Sequence, residues 1–160
     1  MMELSDKILT LKELENDGNH RLVLTNGGFS VLHYGHIQYL HEAKSYGDKL
    51  IVAVNTNESI YELKSYKPPS SDRDRLLLLA ALQCVDAVIP FDGDLTEIIK
   101  TLKPAVYVKG GDYTLDTINQ EERKLLESLG AEIKFTKFHK GYSATNFIER
   151  ARDVKFRGEE

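Results

Sequence analysis

Two histidines, His33 and His36, stand three residues apart in the stretch TNGGFSVLHYGH, residues 25–36, with Gly35 just before the second. At that spacing both rings reach the same side of a helix start. Ahead of them, Gly27 and Gly28 let the backbone approach an anion closely, and a helix beginning there offers unpaired N–H groups. Two imidazoles beside a triphosphate can donate hydrogen bonds to its oxygens and stabilise charge in a transition state. Gly35 between them leaves room for a base or ribose. The stretch therefore reads as a turn that holds the phosphates of a nucleoside triphosphate. Zinc is the rival chemistry, but no cysteine or carboxylate lies nearby at ligand spacing. The lysine pattern of a P-loop and the three-glycine dinucleotide fingerprint are both missing.

The elements around the turn follow from hydrophobic period. Residues 21–26 read as a buried strand ending at the glycine pair, and residues 35–47 as a helix stopped by Gly47. The near-continuous apolar run KLIVAVN, residues 49–55, suits a strand covered on both faces. A short helix near 58–64 and a Pro- and Ser-rich loop follow, then a helix over 73–84 with Asp72 as its cap. The second half repeats the alternation: strand 87–91, helix 95–102, strand 105–109 running into a glycine turn, helix 119–130 closed by Gly130, and strand 132–138. A last helix spans 143–154 with Ser143 as its N-cap, and residues 155–160 form a frayed tail. Five strands alternating with helices predict a single α/β domain, Rossmann-like and doubly wound, with a five-stranded parallel sheet and helices on both faces. Such sheets bind ligands beyond the carboxyl ends of their strands, where strand order reverses. If the first and fourth strands are central neighbours, the turns at Gly27 and Gly110 open into one crevice.

Composition bounds the function. A chain of 160 residues with 41% hydrophobic and 29% charged residues fits one ordinary globular domain. A formal charge of −4 and the lack of a basic stripe with interleaved aromatics argue against nucleic acid as a partner. The longest apolar run, LLLLAAL, is too short to cross a bilayer, and the charged first twenty residues do not read as a signal peptide. The one cysteine, Cys84, follows an apolar run and reads as a buried core residue in a reducing, cytoplasmic setting.

The stretch GGFSVLHYGH resembles the signature of the His-x-Gly-His nucleotidyltransferase superfamily. KILTLKEL, GDKLIVAVNTNESI, LLAALQCVDAVIPF, LKPAVYVKGGDY and GYSATNFIERA resemble, in order, the heptose 1-phosphate adenylyltransferases of ADP-heptose synthesis, over residues 7–151. That resemblance implies attack by a sugar 1-phosphate oxygen on the α-phosphorus of ATP, with loss of pyrophosphate and no covalent enzyme intermediate. It assigns His33, His36, Lys64 and Arg75 to catalysis and Lys67 to the substrate phosphate. It assigns Thr25, Asn26, Gly27, Gly28, Phe29, Tyr34, Gly35, Lys109, Gly110, Gly111, Asp112, Ser143 and Thr145 to the nucleotide. Each lysine or arginine also has the plain alternative of a solvated surface residue. Magnesium is implied as a companion of the triphosphate, with no protein cage of its own, and a homodimer is implied as the assembly. Many relatives fuse this domain to a sugar kinase that has no counterpart here, so a separate protein is expected to supply the sugar phosphate. Ser30 and Asn57 stand where relatives usually have aspartate, Ala144 where they have threonine, and Lys67 where they have arginine. The rival readings are a cytidylyltransferase acting on glycerol 3-phosphate or another phosphorylated alcohol, and a non-catalytic nucleotide-binding module.

Overall fold

A computed structural model describes residues 1, 3–137 and 140–158. Its centre is a parallel sheet of β1 (Leu22–Gly27), β2 (Lys49–Asn55), β3 (Ala87–Phe91), β4 (Val106–Lys109) and β5 (Glu132–Phe135). The spatial order is β3-β2-β1-β4-β5. The chain thus moves outward one way from β1 through β3, then returns to β1's other side with β4. Thr25 is opposite Val52 on one side and Val108 on the other. β1 and β4 are therefore neighbours at the switch point, and the fold class expected from the alternation is the one observed.

The alternation of side chains along each strand explains why both faces must be covered. Val23, Val52, Val54, Val88, Val106 and Val108 face one layer, where they meet α1 (Tyr34–Lys44) and α3 (Asp72–Ala80) through Leu40, Ala43, Leu76 and Leu79. Leu24, Ile51, Ala53, Ile89 and Tyr107 face the other, against α4 (Thr96–Leu102) and α5 (Gln120–Ser128) through Ile98, Ile99, Leu102 and Leu126. Cys84 is buried in the first layer, as expected. α2 (Asn57–Lys64) follows β2, and α6 (Ala144–Arg152) closes the chain with no buried residue. No helix among the described residues is long and apolar enough to cross a membrane.

Several boundaries differ from the expectation for local reasons. α3 is capped by Ser71, whose hydroxyl accepts from the Asp74 amide, not by Asp72. The Asp72 carboxylate instead accepts from the Asn57 amide and from Arg75. α3 stops at Ala80 because the chain enters consecutive turns through Val85. α1 ends at Lys44, and Gly47 is required by packing rather than as the stop: a Cβ there would lie 2.4 Å from the Arg21 carbonyl oxygen. Gly130 does close α5, with φ of 77°. β5 ends at Phe135, and Phe138, the expected strand end, lies outside the described residues, as do residues 159 and 160 of the expected tail. The first twenty residues, left without an element by their charge, hold a 3-10 turn at Leu4–Lys7 and a bridge from Ile8 to Val88, and they bury Leu14.

Candidate active site

Beyond the carboxyl ends of the strands lies a crevice of about 780 Å³. That volume suits a nucleotide-sized ligand. Its first wall is the turn after β1. Phe29 adopts the left-handed conformation, φ 47°, and is buried. Its ring folds back over Gly27, where a Cβ would lie 3.0 Å from Phe29 Cε2. A Cβ on Gly28 would press to 3.2 Å from Ile60 Cδ1. The glycine pair is thus dictated by the aromatic that follows it and by α2, and it leaves the turn's backbone bare to the crevice.

His33 is the extended N-cap of α1, and its backbone N–H donates to His36 Nδ1 at 3.2 Å. That bond fixes the His36 tautomer: with Nδ1 accepting, the proton of the neutral ring sits on Nε2. The two rings stack with centroids 3.7 Å apart, and Phe29 packs at 5.1 Å from the His36 ring. Burial, then the neighbouring His33 and Lys64, push the His36 imidazole down to about 3. Burial, then Arg150, lower His33 as well. Both rings are therefore neutral donors near pH 7 rather than a pair of cations. Gly35 lines the crevice and also makes room for this pair. A Cβ there would lie 2.9 Å from His33 Cε1 and 2.6 Å from Tyr142 Cβ.

The second wall is the end of β4. Lys109, Gly110, Gly111 and Asp112 all line the crevice. Asn26 Oδ1 accepts from the Tyr107 hydroxyl at 2.9 Å and from Lys109 Nζ at 3.3 Å, tying the two strand ends together. Burial lowers the Lys109 ammonium, which also sits 4.3 Å above the Tyr113 ring. Lys64, at the end of α2, and Ser143, at the start of α6, complete the rim. The Ser143 hydroxyl caps α6 by accepting from the Asn146 amide, as its position suggested.

Five residues expected here do not line the crevice. Thr25 is fully buried, its hydroxyl donating to the Val108 carbonyl at 2.8 Å and bonded to the Tyr39 hydroxyl. It fastens α1 to the β1–β4 seam. Tyr34 points outward and meets the Tyr142 ring edge-on, and Lys67 lies over Tyr61. Thr145 is exposed on α6 away from the lining residues Ser143, Ala144 and Asn146. Arg75 is 1% exposed, and its guanidinium donates to Asn57 Oδ1, Asp72 and the Gly28 carbonyl, the last at 2.6 Å. Buried behind the turn with four of its five N–H groups engaged, it holds the glycine turn in place and does not line the crevice. Asn57, one of the departures from the family, is the hub of that support.

Sequence reasoning missed Tyr66, Asn55, Asn119 and Glu122, all of which line the crevice. Ser30, noted for its lost acid, is buried and shares a 2.8 Å hydrogen bond with Tyr66. No short motif marks these residues; only their positions at strand ends and helix starts could have nominated them.

Residues 24–150 match the cytidylyltransferase-like family. The chain is 46% identical over 142 residues to the bifunctional protein HldE of Geobacter sulfurreducens, covering 88% of this chain and 28% of that protein. It is 42% identical over 147 residues to the Geobacter metallireducens protein of that name, covering 91% of this chain and 30% of the other. The chain thus spans less than a third of the length of these curated relatives. Among solved structures it resembles a lipopolysaccharide core biosynthesis protein from Thermoplasma volcanium, with TM-score 0.63 and 29% identity over 76% of this chain and 100% of that one. Pantoate-beta-alanine ligase from Francisella tularensis, solved with a β,γ-ATP ligand and β-alanine, shares the fold at TM-score 0.59 and 17% identity, over 92% of this chain and 73% of that one. With its sheet order, its glycine turn and its paired imidazoles at the switch point, the chain belongs to the cytidylyltransferase-like family of nucleotidyltransferases.

Proposed function

We propose that the protein transfers the adenylyl group of ATP to a sugar 1-phosphate, a heptose 1-phosphate in particular, giving an ADP-sugar and pyrophosphate. One observation carries the reading: two neutral, stacked imidazoles at the start of α1, beside a bare glycine turn and the crevice-lining Lys64. A phosphate oxygen of the acceptor attacks the α-phosphorus, the bond to the β-phosphate oxygen breaks, and pyrophosphate leaves. The attacking oxygen is already deprotonated, so the step needs no general base. Its demands are in-line placement and neutralisation of growing negative charge. His36 Nε2–H, fixed by the bond at Nδ1, donates to a phosphate oxygen where that charge grows, and amides at Gly28 and Phe29 assist. Lys64 attracts the leaving phosphates.

The choice of ATP and heptose rests on the resemblance of the TNGGF and VKGGDY stretches, and a sugar acceptor agrees with the lipopolysaccharide core biosynthesis protein among the structural neighbours. The ligand of the Francisella ligase agrees with a nucleotide in this kind of crevice. No group of three His, Cys, Asp or Glu among the described residues is placed to cage a metal. Magnesium carried by the triphosphate is part of the proposal, and there it would neutralise the pyrophosphate. A homodimer in the cytoplasm completes the proposal. Pyrophosphate release, measured with ATP and with CTP across heptose 1-phosphate, hexose 1-phosphates and glycerol 3-phosphate, tests it. Turnover with ATP and heptose 1-phosphate is expected. Turnover with CTP alone would overturn the base, and ATP binding with no pyrophosphate from any acceptor would overturn the activity.

A further inference from the structure

The histidine pair occupies only one side of the crevice. α1 packs on one face of the sheet and α5 on the other, and both reach the same crevice at the strand ends. On the α5 side the wall contains Glu122, a carboxyl only 9% exposed. Its Oε1 accepts one long bond, 3.4 Å, from the Leu95 amide, and Oε2 takes no hydrogen bond from any described residue. A carboxylate has about four acceptor sites. The remaining acceptor sites face the crevice, where water or a ligand can donate to them. Burial pushes its carboxyl up from the ordinary value even though Lys109 stands near enough to oppose the shift.

Two further side chains that line the crevice are polar in a mixed way. Asn119 uses its side-chain oxygen to cap α5 through the Glu121 and Glu122 amides, which leaves its amide NH₂ free to donate. Asn55 donates to the Ser59 hydroxyl at 3.2 Å, which leaves its carbonyl oxygen free to accept. The wall therefore presents two acceptors and a donor from two elements. A phosphate is repelled by such a carboxyl. A nucleobase edge brings an amine donor beside a ring-nitrogen acceptor, and the ribose brings a diol of its own, but the family resemblance assigns the nucleotide to the turn after β4, Lys109 to Asp112. Vicinal hydroxyls, each both donor and acceptor, satisfy all three groups together.

We propose that Glu122, with Asn119 and Asn55, is the specificity-determining wall that receives the hydroxyl groups of the sugar acceptor. The proposal rests on the reading that the acceptor is a sugar phosphate, and it names the residues that read the sugar. With its phosphate beside the histidines, the acceptor's polyol body extends across the strand ends to α5.

The experiment measures KM and kcat for heptose 1-phosphate and for ATP in the full chain and in Glu122→Gln, with thermal melting to confirm folding. Removing a hydrogen bond to a charged group predicts an increase of ~10- to 100-fold in KM for the sugar phosphate. KM for ATP stays within about twofold, and the preference for heptose 1-phosphate over glycerol 3-phosphate falls. An equal rise in the KM for ATP would show that the carboxyl reads the nucleotide and would overturn the proposal. So would an unchanged KM for the sugar. If the unaltered protein releases no pyrophosphate, the proposed activity fails by itself. Calorimetric titration with heptose 1-phosphate then decides the role of Glu122: binding weakened by Glu122→Gln supports it, whereas absent or unaltered binding overturns it. If Glu122→Gln does not fold, Asn119→Ala and Asn55→Ala are read in the same way.

Discussion

His36 is placed to act as a neutral donor, and both its chemistry and its cost follow from burial. In the proposed reaction, replacing it with alanine would remove a donor to the developing charge, and turnover should fall about 10²- to 10³-fold. Circular dichroism and thermal melting should show the variant folded, while pyrophosphate release measures the loss. The depressed imidazole also leaves a signature in stability. An unfolded histidine titrates near 6.5, whereas His36 in the folded chain titrates at about 3. Between those values the unfolded chain binds a proton that the folded chain refuses, so stability falls as pH drops through that window. Melting temperature should decline from pH 7 to pH 4.5, and His36→Gln should flatten the decline. An equally steep decline in that variant would show that other groups cause it. The motif was legible in the sequence because spacing alone brings His33 and His36 together. The stacking and the fixed tautomer were not, since they depend on Phe29 and on the extended backbone of His33.

At the scale of elements, the site depends on helices held in place from behind. Arg75 joins α3 to α2 and to the Gly28 carbonyl, so it is a positioning residue. Arg75→Lys cannot reproduce that fork, and leaves the buried Asn57 oxygen and Gly28 carbonyl short of donors. A loss of about 2–4 kcal/mol in urea-unfolding stability is expected, together with a raised KM for ATP as the turn loosens. A stable variant with unchanged kinetics would contradict this assignment. Gly35→Ala must displace the His33 ring or Tyr142, and about 10²-fold lower turnover is expected from the misplaced imidazoles. Pyrophosphate assays on the folded variant check it. The sequence announced that Arg75 mattered but assigned it to the phosphates. A basic residue near a phosphate motif reads the same whether it faces the crevice or the back of the turn; burial alone separates the two.

For the molecule as a whole, the sheet order makes the crevice. Reversal between β1 and β4 brings the Gly28 and Gly110 turns together, while α1 and α5 on opposite faces supply its two sides. Period and glycine placement made this architecture readable, because apolar strands covered on both faces must alternate with helices. The anchoring of the N-terminal segment was hidden, since Ile8 and Leu14 pack against distant strands and show no local period. A ligand that bridges the crevice should stabilise the fold by mass action: ATP with magnesium at about one hundred times Kd adds roughly 2.7 kcal/mol, seen as an upward shift in melting temperature. The most direct test of the account is a crystal structure with a non-hydrolysable ATP analogue. The account predicts phosphate oxygens within hydrogen-bond reach of His36 Nε2 and the Gly28–Phe29 amides; a triphosphate seated elsewhere, with the two imidazoles untouched, would contradict it.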